Sequence, residues 1–228
     1  MKEEKMKDNP IEILIVDDHT LFRQGLCSIL EGEKGLKIVE EAKDGLEAVE
    51  KAKKLFPDVV LMDIALPKLD GVEATRRIKK ENPKINVVML TVHADQSHVF
   101  EALKAGATGY ILKDVDAEKM IEIIHTVSNG EAVIQPHIAT QLLKEFQRLP
   151  KGAQTIEGQK IGIYSTLTNR EKQILKLVAL AKTNKEVASS LSIREKTVKN
   201  HLSNIFQKLQ MNTRTQLALY AYRRGLVR

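Results

Sequence analysis

The chain has 228 residues, 43% of them hydrophobic, enough for one large domain or two modest ones with real cores. Its single cysteine, Cys27, excludes an internal disulfide and fits a reducing cytosol; no apolar run approaches the roughly 18 residues a membrane span needs, and the N-terminus is charged where a signal peptide would be apolar. The formal net charge of +6 is unevenly placed: from Thr166 onward thirteen basic residues face three acidic ones, a net of +10, and residues 1–165 hold 23 basic and 27 acidic groups, a net of −4. A mildly acidic half joined to a basic one directs any polyanion to the second.

Residues 1–10 are charged, lack periodicity and read as a disordered arm. Ile11-Glu12-Ile13-Leu14-Ile15-Val16 is a strand ending in Asp17-Asp18, and Leu21, Phe22, Leu26, Ile29 and Leu30 give residues 20–30 a helical stripe. Strand and helix then alternate, with strands over 36–40, 59–63, 86–90 and 109–112 and helices over 46–55, 72–80, 97–104 and 117–129. The central strand, Val59-Val60-Leu61-Met62, is apolar without a break, lies between Pro57 and Pro67, and ends in Asp63. Such a run is buried on both faces, so it delivers a carboxylate to a costly place. Five βα units predict an α/β doubly wound, five-stranded parallel sheet over residues 11–130.

Ligands of such sheets bind outside the carboxyl ends of the strands. Those ends carry Asp17 and Asp18, Asp63, Thr91 and Lys113. Each has an ordinary explanation alone, as a solvated turn, a strand-end hydroxyl or a surface lysine. Their coincidence in one cleft is what points to function. Clustered carboxylates raise one another's pKa unless a cation sits among them, and all-oxygen ligation suits Mg²⁺. Asp63 is the candidate reactive group.

Residues 11–130 resemble the flavodoxin-like receiver domain of two-component response regulators. The matching pieces are Ile15-Val16-Asp17-Asp18-His19, Met62-Asp63-Ile64 with Pro67 and Asp70-Gly71, Leu90-Thr91, and Gly106-Ala107 through Gly109-Tyr110-Ile111-Leu112-Lys113-Asp114. The resemblance implies that Asp63 accepts a phosphoryl group from a phosphohistidine on a sensor histidine kinase. It implies that Asp18, Asp63 and the backbone carbonyl of Ala65 bind Mg²⁺, with Asp17 assisting through water. Thr91 and Lys113 would grip the phosphoryl oxygens, and Tyr110 is the aromatic expected to move inward as Thr91 shifts. Ala65 has no group to orient a water and Val92 is bulkier than the Ala or Gly often found there, so slow hydrolysis of the acyl phosphate is expected.

Residues 131–165 read as a linker, with helical spacing at Ile138, Leu142, Leu143 and Phe146 and then Gly152, Gly158 and Gly162 without a period. Residues 166–228 read as a small all-α helix-turn-helix domain. Three S/T-x-x-E patterns signal its helix starts: Thr168 to Glu171, Thr183 to Glu186 and Ser192 to Glu195. In the third helix Val198, Leu202, Ile205 and Leu209 form an apolar stripe, opposite Lys196, Lys199, Asn200, Ser203 and Gln207. A polar face is often merely solvated, but in a segment of net +10 these types grip phosphate and read base edges.

The segment is similar to the LuxR/NarL-type DNA-binding domain at Leu167-Thr168-Asn169-Arg170-Glu171, Asn184-Lys185-Glu186-Val187-Ala188 and Lys196-Thr197-Val198-Lys199-Asn200-His201-Leu202. That similarity implies a recognition helix with Val198 to Gln207 in the major groove, Lys199 and Asn200 nearest the bases, Lys196 and Thr197 at the backbone, and Ser203 among the DNA-binding residues. Ala181 departs from it, standing where the family often has glycine, as do Lys182 and Arg194. The last helix, over 213–224, is expected to complete the core and to supply a homodimer contact on paired half-sites.

The two halves together read as a cytoplasmic, phosphorylation-controlled transcription regulator. Its expected partners are the kinase, double-stranded promoter DNA, a second copy on DNA and RNA polymerase. An aspartyl-phosphate phosphatase would place a second acid two residues beyond its nucleophile, where this chain has Ala65. A constitutive DNA-binding protein has no need of the strand-end charges.

Overall fold

Apolar strands too uniform to face water on either side require helices on both faces, and the chain meets that requirement. The computed structural model describes residues 9–92, 96–134, 163–211 and 213–226. Most of the expected arm, the helix over 138–146 and the glycine-bearing stretch lie outside the described residues. The chain divides into two units, between Gln135 and Pro136.

The first unit runs β1 (Ile11–Val16), α1 (Thr20–Glu31), β2 (Leu36–Ala42), α2 (Gly45–Leu55), β3 (Val59–Asp63), α3 (Gly71–Glu81), β4 (Asn86–Thr91), α4 (Gln96–Ala105), β5 (Gly109–Leu112), α5 (Ala117–Ser128) and β6 (Val133–Ile134). The sheet is ordered β2-β1-β3-β4-β5-β6 and every pair is parallel. All five expected strands are present, and the two-residue β6 joins the edge beside β5.

On one face Ile13, Ile15, Val59, Leu61, Val88, Leu90 and Ile111 pack with Leu26 and Leu30 of α1 and Met120, Ile123, Ile124 and Val127 of α5. The alternate residues, Leu14, Val16, Val60, Met62, Val87, Met89 and Tyr110, are also buried, as the two-residue repeat of a strand demands. Order reverses at β1, so the ends of β1 and β3 lie side by side, with Val16 opposite Met62 and Asp63 opposite Leu90. The next residue after Val16 is Asp17, which therefore meets Asp63 at the switch point.

The second unit holds a 3₁₀ turn (Ile163–Thr166), α6 (Asn169–Ala179), α7 (Asn184–Leu191), α8 (Glu195–Leu209) and α9 (Arg214–Arg223). Its core joins Ile174, Leu175 and Val178 to Val187 and Ala188, to Val198, Leu202, Ile205 and Leu209, and to Leu217 and Ala221. Thr168 and Thr183 close complete capping boxes with Glu171 and Glu186. The third expected box does not form. Ser192 ends α7 in the left-handed region, its N–H returned to Ala188 and Ser189 carbonyls, and Arg194 precedes α8 without a side-chain cap. A residue closing one helix has the wrong backbone to open the next.

Candidate phosphoryl and metal site and nucleic-acid face

Asp17 leaves β1 fully buried, its N–H bonded to the Ala42 carbonyl of β2 at 3.1 Å. The Asp17 carbonyl accepts from Arg23 Nη1 at 2.7 Å, and Arg23 Nε donates to Glu41 Oε2 at 2.8 Å. The turn carrying both acids is thus held from α1 and β2 together. Asp17 Oδ1 accepts the His19 N–H at 2.9 Å, and the exposed Asp18 lies 2.8 Å through Oδ1 from His19 Nδ1.

Asp63 ends β3 and is 3% exposed. Gly71 explains how the chain turns so closely behind it: a Cβ there would lie 1.9 Å from the Asp63 carbonyl oxygen. Lys113, just past β5, points its Nζ to Asp17 Oδ2 at 2.6 Å and to Asp63 Oδ2 at 3.0 Å, with the Phe22 ring centroid 4.7 Å away. The Lys113 N–H bonds the Thr91 carbonyl at 2.7 Å, tying the ammonium to the end of β4. Thr91 is buried, Val92 beside it is 66% exposed, and Ala65 is exposed in the loop after β3. The Tyr110 ring is fully buried in β5.

The electrostatics follow from this packing. Burial pushes the Asp63 carboxyl above the usual carboxylate range; the hydrogen bond and charge of Lys113 draw it partly back, and the charge of Asp17 adds to the rise. Burial disfavours the Lys113 ammonium, but hydrogen bonds and charge from Asp17 and Asp63 outweigh it and raise its pKa. Ligand atoms of Asp17, Asp18, His19 and Asp63 all lie within 4.8 Å of one another. The donor set fits a hard divalent cation, since three carboxylates face one ammonium and a second positive charge would relieve their repulsion.

In the second unit α8 turns Val198, Leu202, Ile205 and Leu209 into the core and leaves Lys196, Lys199, Asn200, Ser203 and Gln207 exposed, with Thr197 half-buried at the edge. Its far end is fastened by Lys208, whose Nζ meets Glu171 Oε2 at 2.8 Å and Oε1 at 3.0 Å. Burial pushes the Glu171 carboxyl up, yet Lys208 and Thr168 hydrogen bonds hold it below the usual range.

Two family models match: "Response regulator receiver domain" over residues 13–125 and "Bacterial regulatory proteins, luxR family" over residues 165–221. The chain is 41% identical over 233 residues to the transcriptional regulatory protein DegU of Brevibacillus brevis, covering 99% of this chain and 98% of that one. The chain belongs to the NarL-type response regulators. This regulator is also 42% identical to the transcriptional regulatory protein LnrK of Bacillus subtilis, covering 95% of this chain and 98% of the relative. Among solved structures it is similar to a two-component response regulator of the LuxR family from Aurantimonas, with a TM-score of 0.57, 31% identity, and coverage of 61% of this chain and all of that one.

The regulator's sheet thus brings together Asp17, Asp18, Asp63 and Lys113 as expected from their strand ends. Sequence reasoning gave no role to His19, Arg23 or Glu41. His19 had a signal in its place directly after the acidic pair. The Arg23–Glu41 pair had none, because its partners are 18 residues apart and meet only once β2 lies beside β1.

Proposed function

We propose that Asp63 of this response regulator takes the phosphoryl group of a kinase phosphohistidine and that phosphorylation governs promoter binding by the second unit as a dimer. The observation that carries the reading is the Lys113 ammonium shared between Asp17 and Asp63 at the switch point of the sheet. The N–P bond of the donor breaks as an O–P bond to Asp63 forms. Lys113 and the Thr91 hydroxyl would take the phosphoryl oxygens, where fixed positive charge and donors lower the barrier. Asp18, Asp63 and the Ala65 carbonyl would hold Mg²⁺, with Asp17 acting through water. When bound, the ion supplies charge that neutralises the transferred group. An acyl phosphate adds close to two negative charges, enough to reposition Thr91, Tyr110 and the loops around them.

On α8, Lys199 and Asn200 would read base edges, Lys196 and Thr197 would meet phosphates, and Ser203 would join the DNA-binding face. Val92 and Ala65 would slow hydrolysis of the acyl phosphate, so Val92→Ala should shorten its half-life. The setting proposed is the cytoplasm, with RNA polymerase as a downstream partner. No helix among the described residues is long and apolar enough to cross a membrane.

The deciding experiment is selection from a palindromic DNA library with and without acetyl phosphate and Mg²⁺, using wild type and Asp63→Asn. Tighter selection on phosphorylation, lost in Asp63→Asn, is the expected result. Equal selection by both proteins in both conditions would leave a constitutive DNA-binding protein.

A further inference from the structure

The acidic cluster has a nitrogen at its rim. His19 Nδ1 lies 2.8 Å from Asp18 Oδ1 and 3.4 Å from Asp17 Oδ1, within the same 4.8 Å group as the Asp63 carboxylate. Neighbouring donors around an octahedral ion with bonds of about 2.1 Å stand about 3 Å apart, and opposite donors about 4.2 Å. The 2.8 and 3.4 Å separations are near those of neighbouring donors on one ion, and the group, which spreads up to 4.8 Å, needs to contract by only about half an ångström to share one. The backbone beneath the ring is anchored there, the His19 main-chain N–H donating to Asp17 Oδ1 at 2.9 Å, while the side chain is 70% exposed and can swing the short remaining distance.

We propose that His19 is an additional protein donor to the divalent ion of this site, shifting its preference from magnesium toward manganese(II). The inference rests on the proposed reading that the acidic cluster binds a divalent cation. Hard magnesium favours oxygen and gains little from imidazole, whereas manganese(II) keeps the same octahedral carboxylate site and accepts a nitrogen. The competing view is that the imidazole only pairs with Asp18 on the surface, where such contacts contribute little. An incoming ion would then displace the ring, and selectivity would not depend on it.

The test uses the full chain at one fixed pH, as wild type, His19→Ala, His19→Gln and Asp18→Ala. Electron spin-echo modulation of bound manganese(II) reads a coordinated imidazole nitrogen directly, and competition titration gives the ratio of manganese to magnesium affinity. Wild type should show nitrogen modulation that both His19 variants lose, and their affinity ratio should fall about tenfold, chiefly through weaker manganese binding. Unchanged modulation or an unchanged ratio in the His19 variants overturns the proposal, as does an equal loss for both ions. If Asp18→Ala binds both ions as wild type does, the underlying metal reading fails instead.

Discussion

Lys113 sets its ammonium 3.0 Å from Asp63 Oδ2, a contact that neutralises the carboxylate proposed to be phosphorylated. The same ammonium serves Asp17 at 2.6 Å. Lys113→Met would leave two buried carboxylates facing each other without a counter-charge, which costs about 3 kcal/mol when one partner of a buried pair is removed. Urea unfolding of the metal-free variant should show that loss. Because a divalent ion then supplies the neutralising charge that Lys113 gave, Mg²⁺ should raise the variant's Tm by more than it raises that of wild type. Equal Mg²⁺ shifts would mean that lysine and ion act on different carboxylates.

Gly71→Ala probes the same corner from the backbone. The Gly71 N–H bonds the Ile64 carbonyl at 2.9 Å, so the first turn of α3 is drawn against the end of β3. A methyl group placed 1.9 Å from the Asp63 carbonyl must push one element away. Overpacking of this kind costs about 3 kcal/mol. Isothermal titration should also find weaker Mg²⁺ binding, since Asp63 is the residue displaced. A variant with wild-type stability and metal affinity would show that the corner can open freely.

The sheet was legible because burial on both faces writes continuous apolar runs, and its site was legible because polar side chains at strand ends interrupt those runs. Asp63 after Val59-Val60-Leu61-Met62 is the clearest case. What could not be read depends on neighbours distant in sequence. β6 has two residues and no period of its own; it exists because β5 offers an edge. Ser192 matches a capping pattern but closes α7 instead, a choice made by backbone dihedrals. Lys79 sits in the run Arg76-Arg77-Ile78-Lys79-Lys80 and looks solvated, yet it is 2% exposed with its Nζ on the Pro83 and Ile85 carbonyls at 2.6 and 2.8 Å.

That buried Lys79 gives stability a pH dependence. Burial lowers its pKa from 10.5 to about 8. In that window the unfolded chain keeps a proton the folded chain has released, so stability rises with pH between the two values. The full gain is up to about 3 kcal/mol. Comparison with Lys79→Met removes the contribution of every other titrating group. The stability of wild type relative to the variant should climb as pH goes from about 7.5 to about 10.5 in urea titrations. A constant difference across that range would show that Lys79 stays charged while folded.

Ala181 carries strain that glycine would relieve. It lies at φ 56°, just past the end of α6, where its N–H returns to the Val178 carbonyl at 3.0 Å and the Lys182 N–H to the Leu177 carbonyl at 3.1 Å. These two bonds are those of a helix end closed by a left-handed residue, usually glycine because a Cβ clashes there. The turn cannot relax away, since the buried Arg214 guanidinium donates to both the Lys182 carbonyl and Asn184 Oδ1. A left-handed alanine costs roughly 1–2 kcal/mol, part of which glycine returns through the greater freedom of its unfolded chain. Ala181→Gly should therefore stabilise the helical unit by about 1 kcal/mol, read as slower hydrogen exchange of α6 and α7 amides. Affinity for DNA should be unchanged, because the substitution leaves the exposed face of α8 intact. Faster exchange in the variant would mean that chain entropy outweighs the strain at this turn, and that the alanine is the better residue for it.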